Sequence, residues 1–255
     1  MATWDPTTYL AFAEPRSRPA LDLLGRIRTT RPEAVFDLGC GAGNITALLA
    51  QRWPAARIVG VDSSPAMLAR AEAALPGAEF VAGDVANWRA PAPADVIYSN
   101  AALHWLADHA DLLARLMSDL AAGGTLAVQM PRNHHAASHQ MITEAIEAGP
   151  WRAALARVRG IRTVHEPEVY YRILAPLASR VEIWETEYLH VLDGDNPVVG
   201  WTRGTSLVPY MDALDEAERD AFLAAYAERI ARAYPAEPDG RTLFRFRRLF
   251  IVAER

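Results

Sequence analysis

The chain has 255 residues, of which 51% are hydrophobic, and this suits one large α/β domain with an insertion. Its formal net charge is −5 and it contains no lysine, so all 26 basic residues are arginines and no general positive field attracts nucleic acid. A single cysteine, Cys40, excludes a disulfide or a thiolate metal site within one chain.

The N-terminal segment lacks the basic start and apolar core of a signal peptide. No apolar run approaches the roughly 18 residues of a membrane span. We therefore expect a cytoplasmic protein that contacts no membrane. Residues 1–30 carry three aromatic side chains before the first strand, and a helix is predicted over residues 18–27. This segment either fastens itself to the fold or forms a helical lid over a ligand.

The stretch Val35–Asn44 predicts a strand, a tight turn and the start of a helix. An apolar run reaches Asp37, and a helical pattern follows over residues 45–53. Between them, glycines stand at alternating positions: Gly39, Gly41 and Gly43. Glycine is needed where the backbone turns sharply and approaches a ligand, because a Cβ would collide. A second predicted strand, residues 57–62, ends in an acid that suits a ribose diol, so these features predict a nucleoside-bearing cofactor.

The glycine spacing distinguishes between nucleoside cofactors. The dinucleotide fingerprint has its third glycine three residues after the second, whereas this chain has Asn44 there. Asp37 is a poor neighbour for a pyrophosphate but a good one for an ammonium group. S-adenosylmethionine has an amino group, a cationic sulfonium and no phosphate. The pattern therefore favours a methyltransferase over a nicotinamide-dependent dehydrogenase, which remains the alternative.

The following elements continue the alternation of strands and helices. Asp84 follows the third strand, where a carboxylate can accept a hydrogen bond from an adenine amino group. Such alternation predicts a parallel, doubly wound sheet. The predicted elements are a helix over 64–74, strands over 79–82 and 94–99, a helix over 109–121 and a strand over 124–130.

After Pro131 the pattern changes from alternation to a mainly helical stretch. We predict a helical cap over 132–178, a strand over 181–189, helical structure over 197–234 and a last strand over 242–252. The predicted domains are an N-terminal lid over 1–30, an α/β core over 31–131, the cap over 132–178, and a C-terminal completion of the sheet over 179–255.

The order of the segments across residues 33–131 resembles that of the class I S-adenosylmethionine-dependent methyltransferases. The resemblance implies a Rossmann-like, mostly parallel seven-stranded sheet with an α-helical cap. It also implies S-adenosyl-L-methionine as cofactor and S-adenosyl-L-homocysteine as product. The implied cofactor-binding residues are Asp37, Leu38, Gly39, Cys40, Gly41, Asn44, Asp62, Ser63, Met67, Gly83, Asp84, Val85, Asn100 and Ala101.

The sequence lacks the motif of enzymes that methylate DNA bases and a convincing set of metal ligands. The segment after the fourth strand, 100–105, lacks the Asn-Pro-Pro-Tyr motif of enzymes that methylate amino groups of DNA bases. We therefore expect no nucleic-acid partner. His134, His135 and His139 are spaced like metal ligands but lack partner acids, so we expect no metal.

Four segments resemble the trans-aconitate 2-methyltransferases, and the likeness extends over nearly the whole chain. They are residues 16–19, 62–67, 127–131 and 248–253. The resemblance implies O-methylation of one carboxylate of trans-aconitate, or of a closely related polycarboxylate, to a monomethyl ester. A carboxylate is ionised at pH 7, so no general base is expected.

Binding of the other carboxylates would need clamps, and the arginine fork suits that role. The candidate substrate-binding residues are Arg16, Arg18, His104, Arg132, Tyr170, Tyr171, Trp201 and Arg203. We expect His104 and Trp105 to position the reactants, and the protein to act as a monomer or a weak homo-oligomer. Two alternatives remain open. One is methylation of carbon, nitrogen or oxygen on another small molecule, and the other is a non-catalytic cofactor-binding regulatory module.

Overall fold

A computed structural model describes residues 17–158 and 164–255 of the chain. Its strands are β1 (Ala34–Leu38), β2 (Arg57–Asp62), β3 (Glu79–Ala82), β4 (Ala94–Asn100), β5 (Leu120–Pro131), β6 (Arg180–Leu192) and β7 (Thr242–Glu254). Helices in the described part are α1 (Arg18–Arg26), α2 (Asn44–Arg52), α3 (Pro65–Ala74), α4 (His109–Ser118), α5 (Ala137–Ala148), α6 (Arg152–Leu155), α7 (Pro167–Leu174), α8 (Pro197–Arg203), α9 (Val208–Asp212) and α10 (Glu216–Ala233), with a 3₁₀ turn at Leu103–Trp105.

The strands form one seven-stranded sheet in the order β3-β2-β1-β4-β5-β7-β6. β1 runs parallel to β2 and β4, β4 runs parallel to β5, and β7 pairs with β5 in the antiparallel direction. The mostly parallel, doubly wound sheet confirms the predicted fold class. Because the chain order reverses at β1 and β4, the carboxyl ends of these two strands border the crevice where ligands bind in such sheets.

The largest error in a predicted boundary is at the junction of α4 and β5. The helix was expected to reach residue 121, but it ends at Ser118 and the strand begins at Leu120. The reason is the edge of β4, because the N–H of Ala94 donates to the carbonyl of Asp119 at 2.9 Å and Ala94 pairs with Leu120. Strand pairing therefore takes the chain out of the helix before Gly123, which has a φ of 76°.

The chain divides into two compact units. The first contains the described residues up to Pro131 together with 165–186 and 248–255, and the second contains the described parts of 132–164 and 187–247. The region 132–178, predicted to be a helical cap, contains the helices α5, α6 and α7. The predicted helical stretch 197–234 is divided into α8, α9 and α10.

Each unit has its own apolar core. In the first, fully buried side chains include Leu24 of α1, Phe36 of β1 and Ile97 of β4. In the second, α10 buries Phe222 and Tyr226 within a cluster that includes α5 and α8. Burying one such side chain contributes about 1.5–3 kcal/mol. Within the described ranges, no helix is both long enough and apolar enough to cross a membrane.

Candidate functional site

The glycine loop after β1 is held in a left-handed backbone conformation. Gly39, Gly41 and Gly43 have φ angles of 74°, 55° and 81°. The N–H groups of Gly39 and Cys40 both donate to the carbonyl of Val61, at 2.8 and 3.1 Å, which fastens the loop to the end of β2. A Cβ at residue 39 would collide with the side chain of Ala102, so only glycine fits there.

The Asp62 carboxylate connects this loop to the start of α3. Its Oδ2 accepts a hydrogen bond from the N–H of Gly41 and its Oδ1 accepts one from the N–H of Ser64, both at 2.9 Å. Each carboxylate oxygen can accept a second hydrogen bond. The two contacts therefore fix the carboxylate while leaving it capable of accepting from a diol.

The Asp37 carboxyl group is buried below the loop and its Oδ2 accepts a 2.7 Å hydrogen bond from the hydroxyl of Thr46. Burial raises the pKa of Asp37 from 3.8 to about 7; the Thr46 hydrogen bond opposes this rise and the charge of Asp62 adds to it. A carboxyl group with such a pKa is stabilised as an anion by any cation that binds beside it.

A cavity of about 200 Å³ opens between the glycine loop, α2 and the end of β4. Its lining residues are Ser17, Asp37, Gly39, Cys40, Ala42, Asn44, Ile45 and Asn100. Oδ1 of Asn100 is buried without a hydrogen-bond partner among the described residues, so it is available to a ligand. The next residue, Ala101, has a φ of 54°, and strained backbone of this kind is common at functional sites.

The remaining predicted cofactor residues lie at the ends of β2 and β3. Val85 is buried, while Asp84 is exposed and its Oδ1 accepts from the N–H of Ala86 at 2.9 Å. Ser63 and Met67 are exposed at the beginning of α3. The exposed carboxylate of Asp84 and the exposed thioether of Met67 are both accessible to a ligand.

These features fit S-adenosylmethionine better than a dinucleotide. The loop has a buried carboxyl group at Asp37 for an ammonium group, and Asp62 can accept from a ribose diol. Among the described residues that line the cavity there is no arginine, in contrast to what a pyrophosphate requires. Within the described ranges, no three His, Cys, Asp or Glu side chains are close enough to hold a metal ion.

The candidate substrate residues of the first unit lie in different environments. His104 is buried and its ring packs on that of Trp105 at a centroid distance of 4.9 Å, and Trp105 is 40% exposed. Arg18 is exposed at the first residue of α1. Arg16 and most of the predicted lid lie outside the described residues.

The two candidate tyrosines differ sharply in exposure. Tyr170 is fully buried, and its hydroxyl group lies 2.7 Å from Nδ1 of His109 and accepts from the N–H of His165 at 3.2 Å. This environment argues against direct contact of Tyr170 with a substrate and indicates a structural role. Tyr171 is 56% exposed and available to a ligand.

Three candidates belong to the second unit. Arg132 is buried directly after β5, and its N–H donates to the carbonyl of Arg247 at 3.0 Å. Trp201 is half-buried against His190, with ring centroids 4.7 Å apart. Arg203 is exposed at the end of α8.

Sequence reasoning missed several polar residues that the fold buries. The sequence pattern predicts only that Thr46 belongs to a helix, and it does not indicate that the Thr46 hydroxyl contacts Asp37. Gln129 and Arg248 were read only within motifs, yet Gln129 is fully buried and Oε1 of Gln129 accepts from Nη1 of Arg248 at 3.5 Å. A glutamine inside an otherwise apolar strand was the one available signal for this pair.

Comparison with known proteins identifies methyltransferases, both by a family model and by full-length relatives. A family model described as a methyltransferase domain matches residues 35–124. The trans-aconitate 2-methyltransferase of Azoarcus sp. (strain BH72) is 50% identical over 255 residues, covering 100% of both chains. The protein of that name from Rhodopseudomonas palustris (strain BisB18) is 48% identical over 99% of both chains, and that from Klebsiella pneumoniae (strain 342) is 47% identical over 100% of this chain and 99% of its own.

Solved structures show the same fold at low sequence identity. An S-adenosylmethionine-dependent methyltransferase from Mesorhizobium loti is 21% identical with a TM-score of 0.52, covering 96% of this chain and 100% of its own. A phosphoethanolamine N-methyltransferase from Haemonchus contortus, in complex with S-adenosyl-L-methionine, is 15% identical with a TM-score of 0.56, covering 92% and 52%. These likenesses concern the fold alone.

Proposed function

This chain belongs to the trans-aconitate 2-methyltransferase family, and we propose that it is an S-adenosylmethionine-dependent enzyme that esterifies one carboxylate of trans-aconitate. The observation that carries the proposal is the identity of about half of all residues over the full length of both chains. The acid-flanked glycine loop and its cavity supply the cofactor site that such an activity requires.

We propose specific roles for the cofactor-site residues. Asp37 accepts from the amino group of the methionine part, and Asp62 accepts from the ribose hydroxyls. Asp84 accepts from the adenine amino group, while Val85 supports the ring. Asn100, which lines the same cavity, offers its buried Oδ1 to the amino group. When bound, the cofactor supplies an electrophilic methyl group on a positively charged sulfur.

Methyl transfer to a carboxylate requires alignment more than proton transfer. A carboxylate oxygen is already ionised at neutral pH, so the C–O bond forms without a general base. The bound cofactor would supply the methyl group and would accept the electron pair of the broken C–S bond, so the ester and thioether products would both be uncharged at the reacting atoms. The chain's task is to hold the acid in line and exclude water. His104 and Trp105, directly after β4, are proposed to shape that wall.

The non-reacting carboxylates need positively charged partners. Arg18, Arg132 and Arg203, together with Arg16, are the proposed clamps, and Tyr171 and Trp201 are proposed contacts. The clamps are assigned to the non-reacting groups because strong hydrogen bonds to the nucleophilic oxygen would stabilise its charge and slow transfer. We further propose a cytoplasmic enzyme, monomeric or weakly self-associating, without a nucleic-acid partner.

The test is direct incubation of the protein with trans-aconitate and methyl-labelled S-adenosylmethionine. We expect a radioactive product that alkali hydrolyses to methanol, as a carboxyl ester requires. Label in a base-stable product with another small molecule would indicate carbon or nitrogen methylation. Tight cofactor binding with no turnover of any acid would indicate a regulatory module instead.

Replacement of an acid in the cofactor site provides the internal control. Asp62→Asn should abolish product formation for two reasons. A neutral amide binds the diol less well, and it accepts a weaker hydrogen bond from the N–H of Gly41 than the carboxylate does. Asp111→Asn, which changes an exposed acid in α4, should leave turnover unchanged. Equal activity of both variants would contradict the assigned cofactor site.

A further inference from the structure

The short 3₁₀ turn Leu103–Trp105 follows β4 and carries His104 and Trp105, the side chains proposed to shape the wall for methyl transfer. Its neighbour Ala102 lies against Gly39 of the glycine loop, where an added Cβ would collide with it. A 3₁₀ turn of this length has poor hydrogen-bond geometry, so contacts with the rest of the first compact unit must fix its position.

His109, the first residue of α4, provides one such contact. The residue is 5% exposed, and Nε2 of its ring lies 3.0 Å from the carbonyl oxygen of Leu103. A carbonyl oxygen can only accept, so Nε2 carries the proton and donates the hydrogen bond. The same oxygen accepts from the N–H of Leu106 at 2.9 Å, which closes the turn. The imidazole therefore holds the turn at the atom that its internal hydrogen bond also uses.

A buried tyrosine fixes the orientation of this imidazole. The hydroxyl group of Tyr170 in α7 lies 2.7 Å from Nδ1 of His109, and Nδ1 must accept because the proton lies on Nε2. The N–H of His165 donates to the same hydroxyl group at 3.2 Å. These bonds form a directed chain from the backbone of His165 to the carbonyl of Leu103. A buried network of this kind is rigid when its members are satisfied, so loss of one bond loosens the contact at the turn.

Movement of the turn would change the geometry of the reaction. His104 and Trp105 follow Leu103 directly, and their rings pack at a centroid distance of 4.9 Å, so both side chains move with its backbone. Methyl transfer needs an in-line approach, and a misplacement of about 1 Å can lower a rate about 100-fold. Binding of the acid by its arginine clamps does not require the same precision. Displacement of the turn should therefore lower kcat more than it raises KM.

We propose that His109 and Tyr170 are positioning residues for methyl transfer, because their hydrogen bonds hold the Leu103 carbonyl and with it His104 and Trp105. Both act through the turn and not by contact with the substrate. This inference rests on the proposed function and deepens it, since it extends the reaction site to the buried network between α4 and α7. If the network only stabilises the fold, its loss lowers the stability but leaves the rate of the folded enzyme unchanged.

Two replacements of His109 separate its two hydrogen bonds. The amide nitrogen of glutamine reaches the position of Nε2, so His109→Gln keeps the donation to the Leu103 carbonyl. Asparagine is shorter and its amide reaches only the position of Nδ1, so His109→Asn keeps the contact with Tyr170 and loses the contact with the turn. We expect kcat for trans-aconitate to fall about 100-fold in His109→Asn and to stay within about threefold of wild type in His109→Gln. The KM should stay within about twofold in both variants, and equal kcat values for the two would overturn the proposal.

Tyr170→Phe and Tyr226→Phe form a matched pair that separates positioning from stability. Both tyrosines are fully buried, but Tyr226 belongs to the second unit, where its hydroxyl group lies 3.2 Å from the carbonyl oxygen of Ser138 and from Oγ1 of Thr202. Tyr170→Phe removes the bond that orients the His109 ring, and we expect kcat about tenfold lower with an unchanged KM. Tyr226→Phe should lower the stability to a similar extent and leave kcat unchanged. A kcat that falls equally in both variants would contradict the positioning role.

The position of the turn can also be measured without turnover. The chain has seven tryptophans, so incorporation of 5-fluorotryptophan gives seven fluorine resonances, and Trp105→Phe identifies the one from Trp105. With S-adenosylhomocysteine bound, we expect this resonance to match wild type in His109→Gln and to shift or broaden in His109→Asn. An unchanged resonance in His109→Asn would show that the turn does not depend on the contact with His109.

The kinetic and fluorine measurements together distinguish failure of this inference from failure of the proposed function. Wild type that forms the ester, with kcat and the Trp105 resonance unchanged in His109→Asn, overturns the inference alone. Wild type that forms no ester, with the resonance altered in His109→Asn but not in His109→Gln, overturns the proposed reaction and supports the role of His109 at the turn. Absence of the ester together with an unchanged resonance overturns both.

Discussion

The hydroxyl group of Thr46 in α2 donates a 2.7 Å hydrogen bond to the buried carboxyl group of Asp37 in β1. The bond stabilises the anion, whereas burial favours the protonated acid, and burial is the larger effect on the pKa of Asp37. This carboxyl group therefore changes its charge near neutral pH at the position where the cofactor's amino group is proposed to bind.

We predict that cofactor affinity depends on pH through Asp37. The pKa of Asp37 is about 7, so below that pH the group is protonated and cannot pair with an ammonium group. The Kd for S-adenosylhomocysteine should therefore rise about tenfold for each pH unit below about 7, as expected for one linked proton. Calorimetry between pH 5.5 and 8.5 measures this, and Asp37→Asn should remove the dependence. A constant wild-type Kd across this range would contradict the assignment.

The free energy of unfolding of the cofactor-free protein should depend on pH in the direction opposite to that of cofactor affinity. The folded-state pKa of Asp37 is raised, from 3.8 to about 7, so the folded protein retains a proton that the unfolded chain releases. The contribution of this group to stability is therefore greatest below about pH 4 and is lost as the pH rises to about 7. The difference in unfolding free energy between wild type and Asp37→Asn should change by a few kcal/mol over this interval, measured by urea unfolding. A parallel course for the two proteins would exclude an elevated pKa.

Removal of the Thr46 hydroxyl should shift the pH dependence of cofactor affinity and that of the unfolding free energy to higher pH. Thr46→Val keeps the branched shape but removes the bond that lowers the pKa of Asp37. The pH at which affinity begins to fall should rise by about one unit, which corresponds to a charge-assisted hydrogen bond of about 1.5 kcal/mol. Thr46→Ser should restore the wild-type profile. Identical profiles for the valine and serine variants would show that the bond has no effect on the ionisation.

The sequence was sufficient to predict the parts of this site that depend on local order. The positions of Asp37, Asp62 and the loop glycines follow from strand ends and turns, which are encoded within about 30 residues. The pairing of Thr46 with Asp37 could not be predicted, because it depends on the rotation of α2 over β1. The same applies to Gln129 and Arg248, which are 119 positions apart and meet only when β7 pairs with β5.

Gly39→Ala should abolish cofactor binding, whereas Gly25→Ala should leave it unchanged. A Cβ at residue 39 collides with Ala102 and occupies a residue with a φ of 74°, and such strain costs about 1–3 kcal/mol. We expect loss of measurable cofactor binding. Gly25→Ala is the control, because no described atom outside the adjacent residues and the backbone of α1 lies within 4 Å of the added Cβ, and the substitution favours a helix by up to about 1 kcal/mol. The double variant Gly39→Ala/Ala102→Gly should recover part of the binding, because it removes the collision. A lack of recovery would show that the loss comes from the backbone conformation of residue 39 and not from the collision with Ala102.

The two adjacent tyrosines of α7 should separate stability from substrate binding. The carbonyl of Leu103 can only accept, so the proton of His109 lies on Nε2, which is 3.0 Å from that oxygen. Nδ1 of His109 must then accept from the hydroxyl of Tyr170 at 2.7 Å, and the same hydroxyl accepts from the N–H of His165. Tyr170→Phe removes both contacts.

We therefore expect Tyr170→Phe to lower the unfolding free energy by about 1–3 kcal/mol with little change in the KM for the acid, because buried polar groups lose their partner. Tyr171→Phe should do the reverse, since Tyr171 is 56% exposed and its hydroxyl group contributes only where a ligand accepts from it. Thermal unfolding and steady-state kinetics on both variants measure the separation. If Tyr170→Phe raises the KM without loss of stability, then Tyr170 reaches the substrate through a rearrangement of the buried contact with His109.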